Sequence, residues 1–142
     1  MAEGESWVER YEALRDGSAR PGSYAVAAGI EVVEAEPGRV VVEAVPTEAH
    51  RNLLGTVHGG WVATVLDSAL GTAAHTRLPA ASHALTIEIK VNMLRPPVLG
   101  VRLRAEAVVL HAGRRTVVCE AKLRDPDDRL VAIGTATFAV AG

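Results

Sequence analysis

A single cysteine, Cys119, stands among 142 residues, so no disulfide can form within the chain and no Cys/His cluster has zinc-site spacing. Aromatic residues are scarce, with one Phe, two Trp and two Tyr, which argues against an aromatic cage. No apolar run is as long as a membrane span. The opening MAEGESWVERYEALRDG carries acids where a secretory signal would carry an apolar core. A G-x-S-x-G elbow is missing, which removes the serine route to hydrolysis. Neither sign of charge dominates: 15 Lys and Arg face 17 Asp and Glu, giving a net charge of −2 and no general attraction to nucleic acid or an anionic membrane. Together these absences predict a cytoplasmic protein in a reducing compartment, with no metal centre and no nucleic-acid or membrane partner.

What remains is a chain that is 49% hydrophobic and long enough for one packed domain over 1–142, with 1–20 as an N-terminal helical extension. Its charges are unevenly placed. Ten of the 17 acids precede residue 50, and nine of the 15 Lys and Arg lie between Lys90 and Arg129. That asymmetry suits either an anionic ligand or the solvated faces of strands. Trp7, Val8, Tyr11 and Leu14 recur at helical spacing between a Ser6 N-cap and Gly17, predicting a short helix. Val- and Ile-rich runs from Tyr24 to Ala35 and from Arg39 to Val45 flank Glu36-Pro37-Gly38 and predict a hairpin.

From Leu85 to Met93 apolar residues alternate with Thr86, Glu88, Lys90 and Asn92, the pattern of a half-buried antiparallel strand with Thr86 on the solvent side. The same grammar covers Val101 to Val109 and Val117 to Leu123, and an apolar run from Leu130 to Val140 completes about six strands. Cys119 falls among the apolar positions, as a small core residue does.

One segment breaks this pattern. Gly60 to Thr76 has no period of two and is rich in Ala and Leu, predicting one long helix among the strands. Asp67 is its only formal charge, and the only one between Arg51 and Arg77. On a helical wheel Gly60, Ala63, Gly71 and Ala74 fall within roughly 40° of it, whereas Trp61, Val62, Val65 and Leu66 fall well away. A carboxylate on a face of small residues reads as enclosed, with space kept beside it. Burying an unpaired acid is costly, which makes a functional role the favoured reading over a bond to Ser68 or a backbone amide. His58-Gly59-Gly60 opens the helix, where unpaired N–H groups and the helix dipole can receive an anion or a developing oxyanion.

The runs Asn52-Leu53-Leu54-Gly55-Thr56-Val57-His58-Gly59-Gly60 and Ala63-Thr64-Val65-Leu66-Asp67-Ser68-Ala69, with Leu85 to Pro96 and Ala112 to Thr116 downstream, resemble the signature of hot-dog-fold acyl-CoA thioesterases of the PaaI-like branch. The resemblance spans roughly residues 20 to 140. It implies an α+β hot-dog fold, in which a curved antiparallel sheet of about six strands wraps one long central helix. It also implies a homodimer at least, as a homotetramer built from two dimers, with each active site formed by two subunits.

By the same resemblance, Asp67 is the catalytic acid, as nucleophile or general base. The Gly59 amide polarises the thioester carbonyl, with Gly60 as a second donor, and Asn52 and His58 orient the carbonyl, the water or the loop. Thr86 stands beside the hydrolytic water, reaching it from the partner subunit. Arg114 and Arg115 are candidates for CoA phosphates, since a guanidinium fork can bind phosphate in a bidentate way, with Arg95, Thr116 and Ser68 as further substrate-binding positions. No cofactor is implied, because CoA belongs to the substrate. His50, His75, His83 and His111 form no triad or metal spacing and read as structural or surface residues. Within the same fold, an acyl-CoA-sensing regulator would need a DNA-binding segment, and a dehydratase a different arrangement of His and acid. A non-catalytic acyl-CoA binder is the remaining alternative.

Overall fold

The computed structural model describes residues 4–142, so the first three residues of the N-terminal extension lie outside it. Helix α1 spans Trp7–Asp16 and begins with a capping box: Ser6 accepts the Glu9 N–H, and the Glu9 side chain accepts from Ser6. It ends at Gly17, in the left-handed region. A second short helix, α2, spans Ser23–Ala28. This corrects the strand expected from Tyr24 onward. The Ser-Tyr-Ala-Val-Ala-Ala run winds into a helix that stops at Gly29, whose φ is 69°. A Cβ at Gly29 would lie 2.9 Å from the Val45 carbonyl oxygen, so only glycine lets the chain turn from α2 into the sheet there.

Six antiparallel strands follow: β1 (Ile30–Glu36), β2 (Arg39–Ala44), β3 (His83–Met93), β4 (Leu103–Ala112), β5 (Thr116–Arg124) and β6 (Leu130–Ala141). They form one sheet in the order β1-β2-β4-β5-β6-β3. Helix α3, Gly59–His75, lies against β2 to β6 and buries Trp61, Val62, Val65, Leu66, Ala69, Leu70, Ala73 and Ala74. Val40, Val42, Leu103, Ala105, Val117, Cys119, Leu123 and Phe138 close over it from the sheet. Long helix, six strands and N-terminal helix therefore match the expected hot-dog architecture. Large residues on the buried helix face and alternating apolar positions on the strands account for it.

The charge asymmetry has a direct structural outlet. Because β2 lies between β1 and β4, charges of the first hairpin meet charges on and just before β4: Arg104 of β4 bonds Glu34, Arg102 just before β4 holds Glu43 (3.0 Å), and Arg39 of β2 holds both Glu34 (2.8 Å) and Glu106 of β4. These pairs are solvent-accessible, so each contributes little to stability by itself.

Strand β3 departs from its expected pattern in two ways. It is the edge strand, and Leu85, Ile87 and Met93 are 55%, 62% and 51% exposed, so the chain alone does not make it half-buried. It also carries a bulge. Thr86 pairs with Phe138 but Glu88 pairs with Thr137, leaving Ile87 as the extra residue. Residues directly opposite one another share a face, so Thr86 joins Phe138 on the helix side, while Ile89 joins Ala136 and Val91 joins Gly134 there. Strict alternation placed Thr86 on the other face; the inserted residue reverses the phase and turns its hydroxyl toward α3.

Candidate active site

Helix α3 carries the two ends of the candidate site. At its N-terminus, His58 is the N-cap, and its Nδ1 accepts the Gly60 N–H at 2.8 Å. With Nδ1 accepting, the neutral imidazole bears its proton on Nε2. The Gly60 amide is thus occupied, which corrects the expectation of two oxyanion donors. The Trp61 N–H is bonded to the His58 carbonyl (2.9 Å), and no bond engages the Gly59 N–H among the described residues. One free donor therefore stands at the positive end of the helix dipole.

Asn52 folds the preceding loop. Its Oδ1 accepts the N–H groups of Leu54 (2.9 Å) and Thr56 (3.1 Å), and its Nδ2 donates to Thr56 Oγ1 (3.0 Å). Of the roles expected for Asn52, holding the loop is the one these bonds support.

Asp67 lies two helical turns further on. It is half-buried in the chain rather than enclosed, because the small residues beside it leave its carboxylate open to a cavity of about 610 Å³. Thr86 Oγ1 donates to Asp67 Oδ1 at 3.0 Å, so the hydroxyl expected from the partner subunit comes from the same chain, delivered by the β3 bulge. Ser68, Gly71 and Thr72 continue the helix wall of this cavity. The N-terminal residues Tyr11 and Leu14, which sequence reasoning gave no site role, close its far side. The i, i+3 spacing of Tyr11 and Leu14 was the available signal. Burial pushes the Tyr11 phenol up to about 12.

The two ends do not share a cavity. His58 and Gly60 open onto a separate hollow lined by Tyr24, His50, Trp61 and Thr64. Eight residues separate Gly59 from Asp67, about 12 Å along the helix axis. Of the other expected residues, Arg95 is engaged with the Leu130 carbonyl at 2.8 Å and does not reach Asp67. Arg114 and Arg115 are exposed in the β4–β5 turn, and Thr116 begins β5; none of the three lines either hollow. Among the described residues no cluster of three or more His, Cys, Asp or Glu could hold a metal ion, and no helix is long and apolar enough to cross a membrane.

Histidines elsewhere serve packing. His50 Nδ1 accepts the Thr47 N–H (2.9 Å), and its Nε2 bonds the Ala27 carbonyl (2.9 Å). His75 Nδ1 bonds the Gly71 carbonyl (2.7 Å), and its Nε2 accepts the Ala84 N–H (3.1 Å). Desolvation lowers the pKa of His75, holding it neutral.

A family model described as the thioesterase superfamily matches residues 54–132. A 1,4-dihydroxy-2-naphthoyl-CoA hydrolase of Listeria monocytogenes is 31% identical over 112 residues, covering 79% of this chain and 90% of the relative. A structure of a Pseudomonas aeruginosa protein superposes with a TM-score of 0.80 at 34% identity, over 85% of this chain and 95% of that one. A mutant of the phenylacetic acid degradation protein PaaI from Thermus thermophilus gives 0.76 at 31% identity, over 83% and 98%.

Proposed function

Because this chain belongs to the thioesterase superfamily, is PaaI-like and is a thioester hydrolase, we propose that it hydrolyses an acyl-CoA at a site shared between two copies of the chain. Asp67 and Thr86 come from one copy, and Gly59 and His58 from the other. The observation that carries this reading is the separation just described: the free Gly59 amide and the Asp67 carboxylate lie about 12 Å apart along one helix, and the cavity that Asp67 lines does not include Gly59 or its neighbours His58 and Gly60. One carbonyl cannot bond both within a single chain. A two-fold axis beside β3 would bring each together with the other's counterpart.

Surface properties support such an axis. The β3 edge has unpaired backbone groups and exposed Leu85, Ile87, Ile89 and Met93, and Leu53 and Leu54 beside the His58 loop are exposed as well. An edge of this kind invites strand pairing with a second copy.

In the assembled site the Gly59 N–H, at the positive end of α3, takes the developing oxyanion, with His58 Nε2–H near the same carbonyl. The Asp67 carboxylate either attacks the thioester carbon and expels the CoA thiolate, leaving a mixed anhydride that water then hydrolyses, or takes a proton from a water that attacks that carbon and passes the proton to the departing thiolate; both routes end in the free acid and CoA. Thr86 fixes the carboxylate by its hydrogen bond. Arg114 and Arg115, with no carboxylate within salt-bridge distance among the described residues, are available to CoA phosphates. The chemistry needs no cofactor, and the assembly is a dimer at least.

Free-CoA release, followed with a thiol reagent over acyl groups from acetyl to lauroyl plus phenylacetyl and benzoyl, tests the reading. Turnover of one or more thioesters is expected. Acyl-CoA binding without CoA release would overturn hydrolysis in favour of a non-catalytic binder.

A further inference from the structure

The cavity at Asp67 is far larger than the reaction at a carbonyl requires. At about 610 Å³ it would hold an acetyl group many times over. Apolar Ile30, Val42 and Phe138 share its lining with the charged Arg15 and Glu31 and the hydroxyls of Thr72 and Thr86, and Tyr11 and Leu14 of α1 line it as well. Helix α1 lies outside residues 54–132, where the family model matches, so the family pattern says nothing about this wall.

The wall is firmly seated. Trp7 Nε1 donates to the Ser82 carbonyl at 3.0 Å, and its ring packs 4.2 Å, centroid to centroid, from His75. Tyr11, one turn on, is buried. His75 is itself held by two backbone bonds, so α1 rests on a fixed support.

Along α3, Asp67, Gly71 and His75 succeed one another on the cavity side at intervals of four residues. Gly71 lies about 6 Å and His75 about 12 Å beyond Asp67 along the axis. Glycine is a poor helix former, and nothing around Gly71 demands it. A Cβ there would meet Phe138 Cε1 at 3.5 Å, an ordinary contact, and its φ is not in the left-handed region. What the missing side chain preserves is a passage from Asp67 toward α1.

We infer that this cavity is the acyl pocket, that Gly71 sets its girth and α1 its depth, and that it takes an acyl group substantially longer than acetyl. The inference rests on the reading that the thioester carbonyl sits at Asp67. The acyl tail then runs along α3, past Gly71, and ends against Leu14 and Tyr11, so these three residues determine specificity without touching the reacting atoms.

Binding rather than turnover provides the test, which separates this inference from the hydrolysis reading. Titration calorimetry on the Asp67→Asn protein compares octanoyl-CoA with acetyl-CoA, and repeats the comparison with Gly71→Leu or Leu14→Trp added. The parent should favour octanoyl-CoA by about tenfold or more, and each added substitution should reduce that ratio about tenfold. Gly71→Ala, whose methyl fits the space and favours the helix, should lower the ratio less and keeps the test alive if a larger side chain prevents folding. Equal affinities in the parent, or a ratio unmoved by all three substitutions, would overturn the inference. Absence of turnover in the unsubstituted protein would contradict hydrolysis and leave this result standing.

Discussion

Replacing Asp67 with asparagine separates the chemical role of the carboxylate from its structural one. Structurally little should change. The amide oxygen of the introduced side chain can still accept from Thr86 Oγ1, and Asp67 takes part in no salt bridge among the described residues. A hydrogen bond to a charged acceptor contributes about 1.5–3 kcal/mol and one to a neutral acceptor about 0.5–1.5, and partial exposure shrinks the difference, so the loss should be about 1 kcal/mol or less. In a chain of this size that lowers Tm by about 4 °C at most. The chemical loss should be far larger, because an amide neither attacks a thioester carbon nor takes a proton from water: kcat should fall by about 10²–10⁴. Acyl-CoA affinity should change little, since the oxyanion donor and the pocket are untouched. Thiol release, a thermal melt and calorimetric titration of one preparation check all three quantities. A folded Asp67→Asn protein that binds acyl-CoA and turns it over within about tenfold of the parent would refute the role of Asp67.

Further expectations follow from individual contacts. Thr86→Val removes the hydroxyl that fixes the carboxylate and should lower kcat about tenfold with acyl-CoA affinity retained; an unchanged kcat would remove Thr86 from the site. Replacing Arg114 and Arg115 together with alanine should raise KM more than it lowers kcat, and an unchanged KM would rule out phosphate contact. Ser6→Ala breaks the capping box and should cost about 1 kcal/mol at α1, read as increased protease sensitivity there; equal sensitivity would count against the cap. His75 is held neutral, with its folded pKa below 6.5, so the unfolded chain binds the extra proton as pH falls from that value. The stability contributed by His75 is present above pH 6.5 and is lost as pH falls through its lowered folded pKa, so Tm should fall as the solution is acidified below 6.5. His75→Gln should flatten that slope, and an equally steep slope would acquit His75.

How far the sequence alone reaches differs from element to element. The long helix was legible because Gly60 to Thr76 lacks a period of two and buries large residues on one side, and the same wheel singled out Asp67. β4 and β5 alternate as read because both are interior strands with one face on the helix. β3 misled because a single bulged residue, Ile87, reverses the phase without a glycine or proline to announce it. Helix α2, Ser23–Ala28, was hidden by β-prone neighbours, and only the left-handed Gly29 ends it. At the site, His-Gly-Gly marked an anion-receiving terminus but not that His58 would occupy the Gly60 amide, which depends on the ring's rotamer. The exposure of Asp67 was illegible for a different reason: small neighbours signal free space equally well whether a wall of the chain or a second copy covers it.

Shared use of the site is the central claim, and mixing two inactive variants tests it. Gly59→Pro deletes the free N–H while suiting the helix start, since proline is favoured at the first helical position and the extended His58, with ψ 133°, is the conformation required before proline. The added Cβ would press only on the flexible Met93 thioether, 3.0 Å away. Gly59→Pro and Asp67→Asn proteins should each be inactive alone. Unfolded together in equal amounts and refolded, half the dimers would be mixed, each with one intact site, so about a quarter of the parent activity should return. If Gly59 and Asp67 act within one chain, every site in the mixture is broken and no activity returns.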